Sequence, residues 1–522
     1  MAGFLDVVLR GLILTLTGAA LGGVAWLGLV LRAEPYAKPD APAARALRLV
    51  GCGAAGAALA QAAVIGVGLA SLADVHGHWP VGEFAATTFA RVALARVALG
   101  VGVAALAFVM ARRAAGRVAW VALALGAALL VASSAVVSHA VARVEGRALL
   151  IALDAVHQLA ASVWVGGLLH LVAYAPSVQA GLAAPATIKR FSAVAFWSMA
   201  TLIVAGVALT VAYVGDPGAL VGTAYGVMIL SKVALLLPAL GLAYGNLRAV
   251  RRAADAPGIR LFRFAEVELG LGITILFAAA SLTSLPPAVD VTADRAAVAD
   301  VAARFVPAPP RLSSPPIDEL LRSADPLMGR QVERKPVERA WSEYNHHWAG
   351  LFVVLMGVLA IGERLGVRAA RHWPLVFLGL ATFLFVRNDP RAWPLGPAGF
   401  WESLTLPDVL QHRTFVLLLV AFAVFEWAVR TRRLAERPWG YVFPLLCAVG
   451  GGLLLTHSHA MFNIKEEFLT EVTHAPLGIL GAFAGWGRWL EVRMPETGRG
   501  PGWIWRGCFT AVGLLLLFYR EG

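Results

Sequence analysis

The sequence predicts an all-α polytopic membrane protein, and three observations carry that class. Its 522 residues are 59% hydrophobic and only 15% charged, with a mean hydropathy of +0.72, a balance outside the range of soluble domains. Apolar runs long enough to cross about 30 Å of hydrocarbon recur along the chain. Basic residues concentrate in alternate loops, the pattern that orients a multi-pass protein.

The apolar runs place about fourteen spans, near 5–31, 48–73, 86–111, 118–138, 148–174, 192–214, 221–246, 264–284, 347–363, 373–387, 413–429, 439–457, 471–490 and 503–519. Those at 373–387 and 413–429 are short, and tilted, extended or re-entrant forms all fit them. The first run is too long for a signal peptide and lacks a small-residue cleavage site, so a retained span is expected. Alternate loops hold 24 basic residues, among them Arg45, Arg112, Lys189, Arg251, Arg368, Arg433 and Arg493, against six in the intervening short loops. The basic loops therefore face the cytoplasm, and both termini, the N-terminus included, lie outside. Topology accounts for the net charge of +12. Membrane lipid is the expected surrounding, and no nucleic-acid partner is indicated.

Cys52, Cys447 and Cys508 each stand alone inside a predicted span, so a thiolate metal site is not expected. No GxxxxGK[ST] motif occurs, which excludes a P-loop energy source. Residues 285–345 are rich in proline and charge and cannot cross a bilayer. They part an eight-span membrane domain (1–290) from a six-span, His-rich one (346–522). The connecting segment, 291–345, is a Pro-rich linker on the outer side, with a short helix expected near Pro316–Ser323.

Ten of the twelve histidines map to the outer side; only His170 and His372 lie toward the other. Imidazole is the commonest metal ligand, so this one-sided set points to metal chemistry. In span five Asp154 and His157 share a helical face, and the carboxylate is expected to orient the ring. His157 and His170, thirteen residues apart, stand roughly 20 Å apart along the helix. One metal cannot bind both, but two stations on a path can. Gly166 and Gly167 suit close helix packing. Lys232 falls near the bilayer midplane, where a charge costs about 2.5–3.5 kcal/mol on insertion scales. Asp154, Glu266 and Glu268 are its candidate partners, and Arg91 and Arg96 add charge in span three. Two readings of Lys232 stay open: a gate competing with a cation for acidic ligands, or a structural ion pair.

Three separated patterns, HQLAASVWVGGLLH, YG-x5-K with a later Asn246, and EVELGLGITILFAAASLTSLPP, occur in the order seen in the copper resistance D family. Over roughly residues 1–290 the chain resembles that family. The resemblance implies a multi-pass protein of the bacterial inner (cytoplasmic) membrane that handles copper ions, taking them from a periplasmic copper-binding donor and passing them inward. It carries over His157, Trp164, Gly166, Gly167, Lys232, Asn246 and Glu268. One departure is Leu247, which separates Asn246 from the basic Arg248. Beside this resemblance the outer loop DVHGHW becomes a candidate entry site, with His76 and His78 as an extended H-x-H pair next to Asp74.

The densest chemistry lies in THSHAMFNIKEEFLTEVTH. His457, His459 and Met461 form a set suited to Cu(I) or Cu(II). Glu467, Glu471 and His474 share one face if the following helix begins a turn early. Topology brings His346, His347 and His412 to the same level, so one centre is expected to gather His347, His412, His457, His459 and His474, with Glu471 nearby. The E-x-x-H pairs Glu343/His346 and Glu471/His474 also match the carboxylate–histidine arrangement of di-iron bundles, and a bis-histidine haem is a third option. Two functions follow. One is copper transport or handling, with copper as cargo, along a path of Asp154, His157, Trp164, His170, Lys232, Asn246 and Glu268. The other is a membrane metalloenzyme with iron or haem in its second half.

Overall fold

A computed structural model describes residues 2–179, 185–252, 259–323, 335–456, 465–495 and 499–521. Among these residues all regular structure is helical, as expected where no water can satisfy backbone groups. The protein is an all-α polytopic membrane protein. The chain falls into two compact units, Met1–Arg295 with Leu455–Asn463, and Ala296–Leu454 with Ile464–Gly522.

The first unit contains α1 (Ala2–Ala25, continued by a π-helical stretch Trp26–Leu31), α2 (Ala41–His76), α3 (Thr88–Met110), α4 (Arg117–Ala132), α5 (Arg147–Gln179), α6 (Pro185–Val214), α7 (Ala224–Arg252) and α8 (Ile259–Leu282). Small residues set its tightest crossing. A Cβ on Gly166 of α5 would lie 1.9 Å from the Gly18 carbonyl of α1, and one on Gly22 would lie 2.4 Å from Gly166. Gly166 therefore works by absence of a side chain, as lipid-embedded helices require for close approach.

The second unit contains α9 (Pro336–Arg364), α10 (Val376–Arg387, preceded by a 3-10 stretch Arg368–Leu375), α11 (Pro407–Arg430), α12 (Val442–Thr456), α13 (Lys465–Glu471), α14 (His474–Arg493) and α15 (Arg499–Leu517). Its core is aromatic: Trp373, Phe443 and Trp505 are at most 1% exposed and pack with Phe377, Phe422 and Phe509.

Twelve described helices are long and apolar enough to cross a membrane, against about fourteen spans in the sequence reading. The other two, 471–490 and 503–519, are present as α14 and α15, of 20 and 19 residues. Arg488, Glu491 and Arg506 make them less apolar. The short 373–387 run is lengthened by its 3-10 stretch into a 20-residue element, Arg368–Arg387.

The Pro-rich segment carries short helices at Val298–Arg304 and Ile317–Ser323. In the first unit Arg143 forks onto Asp290 with two 2.9 Å bonds, and Arg295 reaches Asp216 at 2.5 Å. In the second unit Lys465 pairs with Asp300 at 2.7 Å. The segment is tied down by ion pairs as well as by packing.

Candidate functional site

In the first unit, polar side chains occur at several depths. His157 on α5 turns its Nδ1 to the Leu202 carbonyl of α6 at 3.0 Å. A carbonyl only accepts, so Nδ1 carries the hydrogen and Nε2 keeps its lone pair. The ring fits because α6 offers Gly206 there; a Cβ would come within 2.9 Å of it. The expected Asp154–His157 bond is not made, because the ring reaches across to α6. Asp154 accepts instead from Gln158 at 3.0 Å.

Lys232 on α7 lies within electrostatic reach of Asp154 and of His157. Among the described residues it forms no ion pair within 4.0 Å. The other two candidate partners are engaged elsewhere: Glu266 with Arg263 at 2.5 Å, and Glu268 with Asn246 at 2.8 Å. Glu268 is 4% exposed, so the Asn246 amide supplies a donor to a deeply buried carboxyl.

Toward the Arg147 end of α5, His139 hydrogen-bonds the Leu282 carbonyl at 2.9 Å and meets the Tyr225 ring edge-on at 6.3 Å. Tyr213 and Tyr225 both lie within electrostatic reach of Asp154. Sequence reasoning missed Tyr213, whose only signal was a phenol inside an apolar run; Tyr225 entered it only as the first residue of the YG-x5-K pattern, with no role given. Toward the other end of α5, His170 is 2% exposed and donates Nε2–H to the Ala19 carbonyl at 3.0 Å. A Cβ on Gly23 would strike that nitrogen at 2.4 Å. His170 also lines a cavity of about 10 Å³ with Trp26, Arg45, Tyr174 and Ser177. Trp164 is buried, with its ring 3.7 Å from where a Cβ on Gly272 would lie.

His76 and His78 do not form an extended pair. His76 ends α2, Gly77 turns the chain at φ +71°, and the two exposed rings stand edge to face at 6.1 Å. Each Nδ1 bonds a local carbonyl, of Leu72 and His76 respectively.

In the second unit, His346 and His474 come together, with ring centroids 6.1 Å apart. His346 stacks on Tyr519 at 4.1 Å and gives Nδ1–H to the Ser342 carbonyl at 2.8 Å. His474 turns Nδ1 to the Glu471 carbonyl at 3.3 Å. His347, expected as a ligand, is fully buried with both nitrogens engaged. Nδ1 accepts from the Arg311 N–H at 2.6 Å, and Nε2 donates to the Tyr519 carbonyl at 2.8 Å. Adjacent helical residues point about 100° apart, so only one of the two can face His474. His412 lies 2.7 Å from Asp389 and 2.9 Å from Asn388. Glu467 and Glu471 lie on α13, just before His474, and Glu467 has a buried oxygen, Oε2, without a partner among the described residues. His457, His459 and Met461 lie outside the described residues. Among the described residues no group of three or more His, Cys, Asp or Glu is placed to hold a metal ion.

The sequence reading also missed a buried charge network in the second unit. Arg430 bridges Glu426 at 2.7 Å and Glu363 at 3.1 Å. Glu491 accepts from Arg488 at 2.6 Å, Arg506 at 2.9 Å, Arg364 at 3.3 Å and the Trp505 indole at 2.6 Å. The Arg430, Arg488 and Arg506 guanidiniums lie over the Trp505 ring at 5.5, 5.9 and 4.3 Å. Arg364, Arg430 and Arg488 read as loop charges in sequence, yet Arg430 and Arg488 are buried here, and Glu426 is 1% exposed.

The fold and these buried polar groups define a multi-pass membrane protein with polar side chains at several places along its helices. A family model described as copper resistance protein D matches residues 185–282. The match supports assigning that stretch to the copper resistance D family. The matched stretch is α6 to α8, narrower than the 1–290 resemblance, and it carries Lys232, Asn246, Glu268 and the Leu202 carbonyl that holds His157. No curated protein and no solved structure matches the chain. The match and the architecture together point to a copper-related membrane protein.

Proposed function

We propose that the protein transports copper across the bacterial inner membrane, from an outer His/Met/carboxylate site along a path through the first unit. The observation that carries this reading is the group Asp154, His157 and Lys232, set against the family-matched helices. His157 offers a fixed lone pair, Asp154 a carboxylate, and Lys232 a cation without a close counter-ion. A copper ion arriving at His157 and Asp154 competes with the lysine for the same negative charge, so occupancy and release are coupled electrostatically. Tyr213, Tyr225 and His139 stand on one side of this group, while the Asn246–Glu268 pair and His170 are further polar stations. His346 and His474, each with Nδ1 tied to a carbonyl, are oriented as metal-binding histidines usually are. With Glu467 and Glu471 they form a loading site in this reading; His457, His459 and Met461, outside the described residues, are the sequence's further candidates for copper loading. His76 and His78 are a second point of entry, and a periplasmic copper-binding protein is the donor.

Copper uptake into oriented vesicles, with and without a proton gradient, tests the path. His157→Ala should lower uptake at least tenfold with the protein still folded. Lys232→Met keeps length and removes the charge; it should change flux or copper affinity at normal expression. A Lys232→Met protein that loses stability but keeps normal flux per folded molecule would make the lysine a structural ion-pair partner and sink the gate.

A further inference from the structure

Arg96 of α3 is a buried charge with no counter-ion among the described residues. It is 7% exposed, its Nε is buried without a partner, and among the described residues it makes no hydrogen bond, ion pair or ring contact. The charged group near enough to act on it is another arginine, Arg10 of α1. Arg10 in turn holds Asp6 at 2.6 Å, so one positive charge of the three is left over. Arg91, on the same helix, is exposed.

Helix packing brings a third polar group to this level. Gly100 of α3 faces Ala54 and Ala58 of α2, since a Cβ there would meet both at 3.1 Å. One turn back along α3, Arg96 falls level with Gln61 of α2, which is 6% exposed. Ile13 of α1 packs with Ala60 and Val64 of α2 and with Phe89 of α3, which brings α1 to the same place. Arg96 lies eight residues into α3, about 12 Å from its start at 1.5 Å per residue. That end is the predicted outer one, where the positive-inside rule does not account for arginine. An unpaired guanidinium held from water is costly unless an anion joins it.

We propose that Arg96, with Arg10 and Gln61, binds an oxyanion of the phosphate class, taken either as free phosphate or as the phosphodiester of a lipid headgroup. The planar guanidinium fork matches phosphate oxygens. A phosphodiester carries the single negative charge the set lacks, and the Gln61 amide adds a neutral donor. The site is separate from the proposed copper path and does not depend on it.

The test is thermal melting of the delipidated full-length protein in a neutral detergent. Inorganic phosphate is titrated at constant ionic strength against chloride, and phosphatidylglycerol against diacylglycerol, which lacks the phosphate. Wild type should gain several degrees with phosphate if the free ion binds, or with phosphatidylglycerol alone if the headgroup does. Arg96→Gln should abolish that gain and melt no lower than ligand-free wild type, because it removes an unpaired buried charge. Should Arg96→Gln fail to fold, Arg96→Lys decides: it keeps the charge without the fork and should need about tenfold more ligand. No gain in wild type with either ligand, an equal gain with diacylglycerol, or a gain undiminished in the variants overturns the proposal.

Discussion

The two units distribute polar groups in opposite ways. In the first, Asp154, His157, Lys232, His170 and the Asn246–Glu268 pair occur at successive places along the helices, each within reach of a neighbouring helix. In the second, His346, His347 and His474 lie at the start of α9 and α14, while the charge network gathers around the other ends of those helices. Between them lie Trp373, Phe443, Trp505 and the phenylalanines packed on them. An ion crossing a bilayer needs ligands at successive depths. The first unit has such groups; the second has an aromatic layer where they would be needed. In the proposed function the conducting path therefore lies in the first unit.

The largest expected effect breaks the second unit's charged end. Glu491→Gln leaves three arginines around a neutral amide and should cost about 3–5 kcal/mol, the range for orphaning buried charge. Thermal melting of the purified protein measures it. A loss below about 1 kcal/mol would mean that solvent already screens these charges, as at an exposed pair.

Next comes a contrast within one histidine doublet. His347→Ala removes two buried hydrogen bonds and should cost about 2–3 kcal/mol with bound copper per folded protein unchanged. His346→Ala, His474→Ala and the His457→Ala/His459→Ala pair should do the reverse, lowering bound copper while melting stays near wild type. Elemental analysis beside melting separates the two outcomes. Wild-type copper content in the His457/His459 double variant would remove those two histidines from the copper-binding set.

The smallest effect concerns the ties outside the spans. The hydrogen bond from Arg295 holds the Asp216 carboxyl below its usual range, and that from Lys465 does the same for Asp300. A carboxyl with a depressed folded pKa contributes stability above its unfolded pKa and loses it as pH falls through the folded value. The melting difference between wild type and Arg295→Gln should be small at neutral pH and close as pH falls toward about 3. A difference constant over that range would show that the Arg295–Asp216 pair contributes nothing.

Hydrophobicity and loop charge are summed along the chain, and a helix satisfies its own backbone. Class and helix positions were therefore legible before any folding was considered. Gly166 was legible as a packing residue for the same local reason, and the family motif flagged Asn246 and Glu268 without revealing that they touch. What tertiary structure decided is which partner each polar group meets. His157 turned to Leu202 rather than to Asp154, three residues before it on its own helix, and His347 turned to the backbone while His346 met His474. Glu426 and Arg430 lie far from Glu491 in sequence and form one network with it only where four helices bring them together. A buried charge or imidazole is fixed by the nearest complementary group in space, and in a helical bundle that group usually sits on another helix, at a sequence distance that no local pattern records.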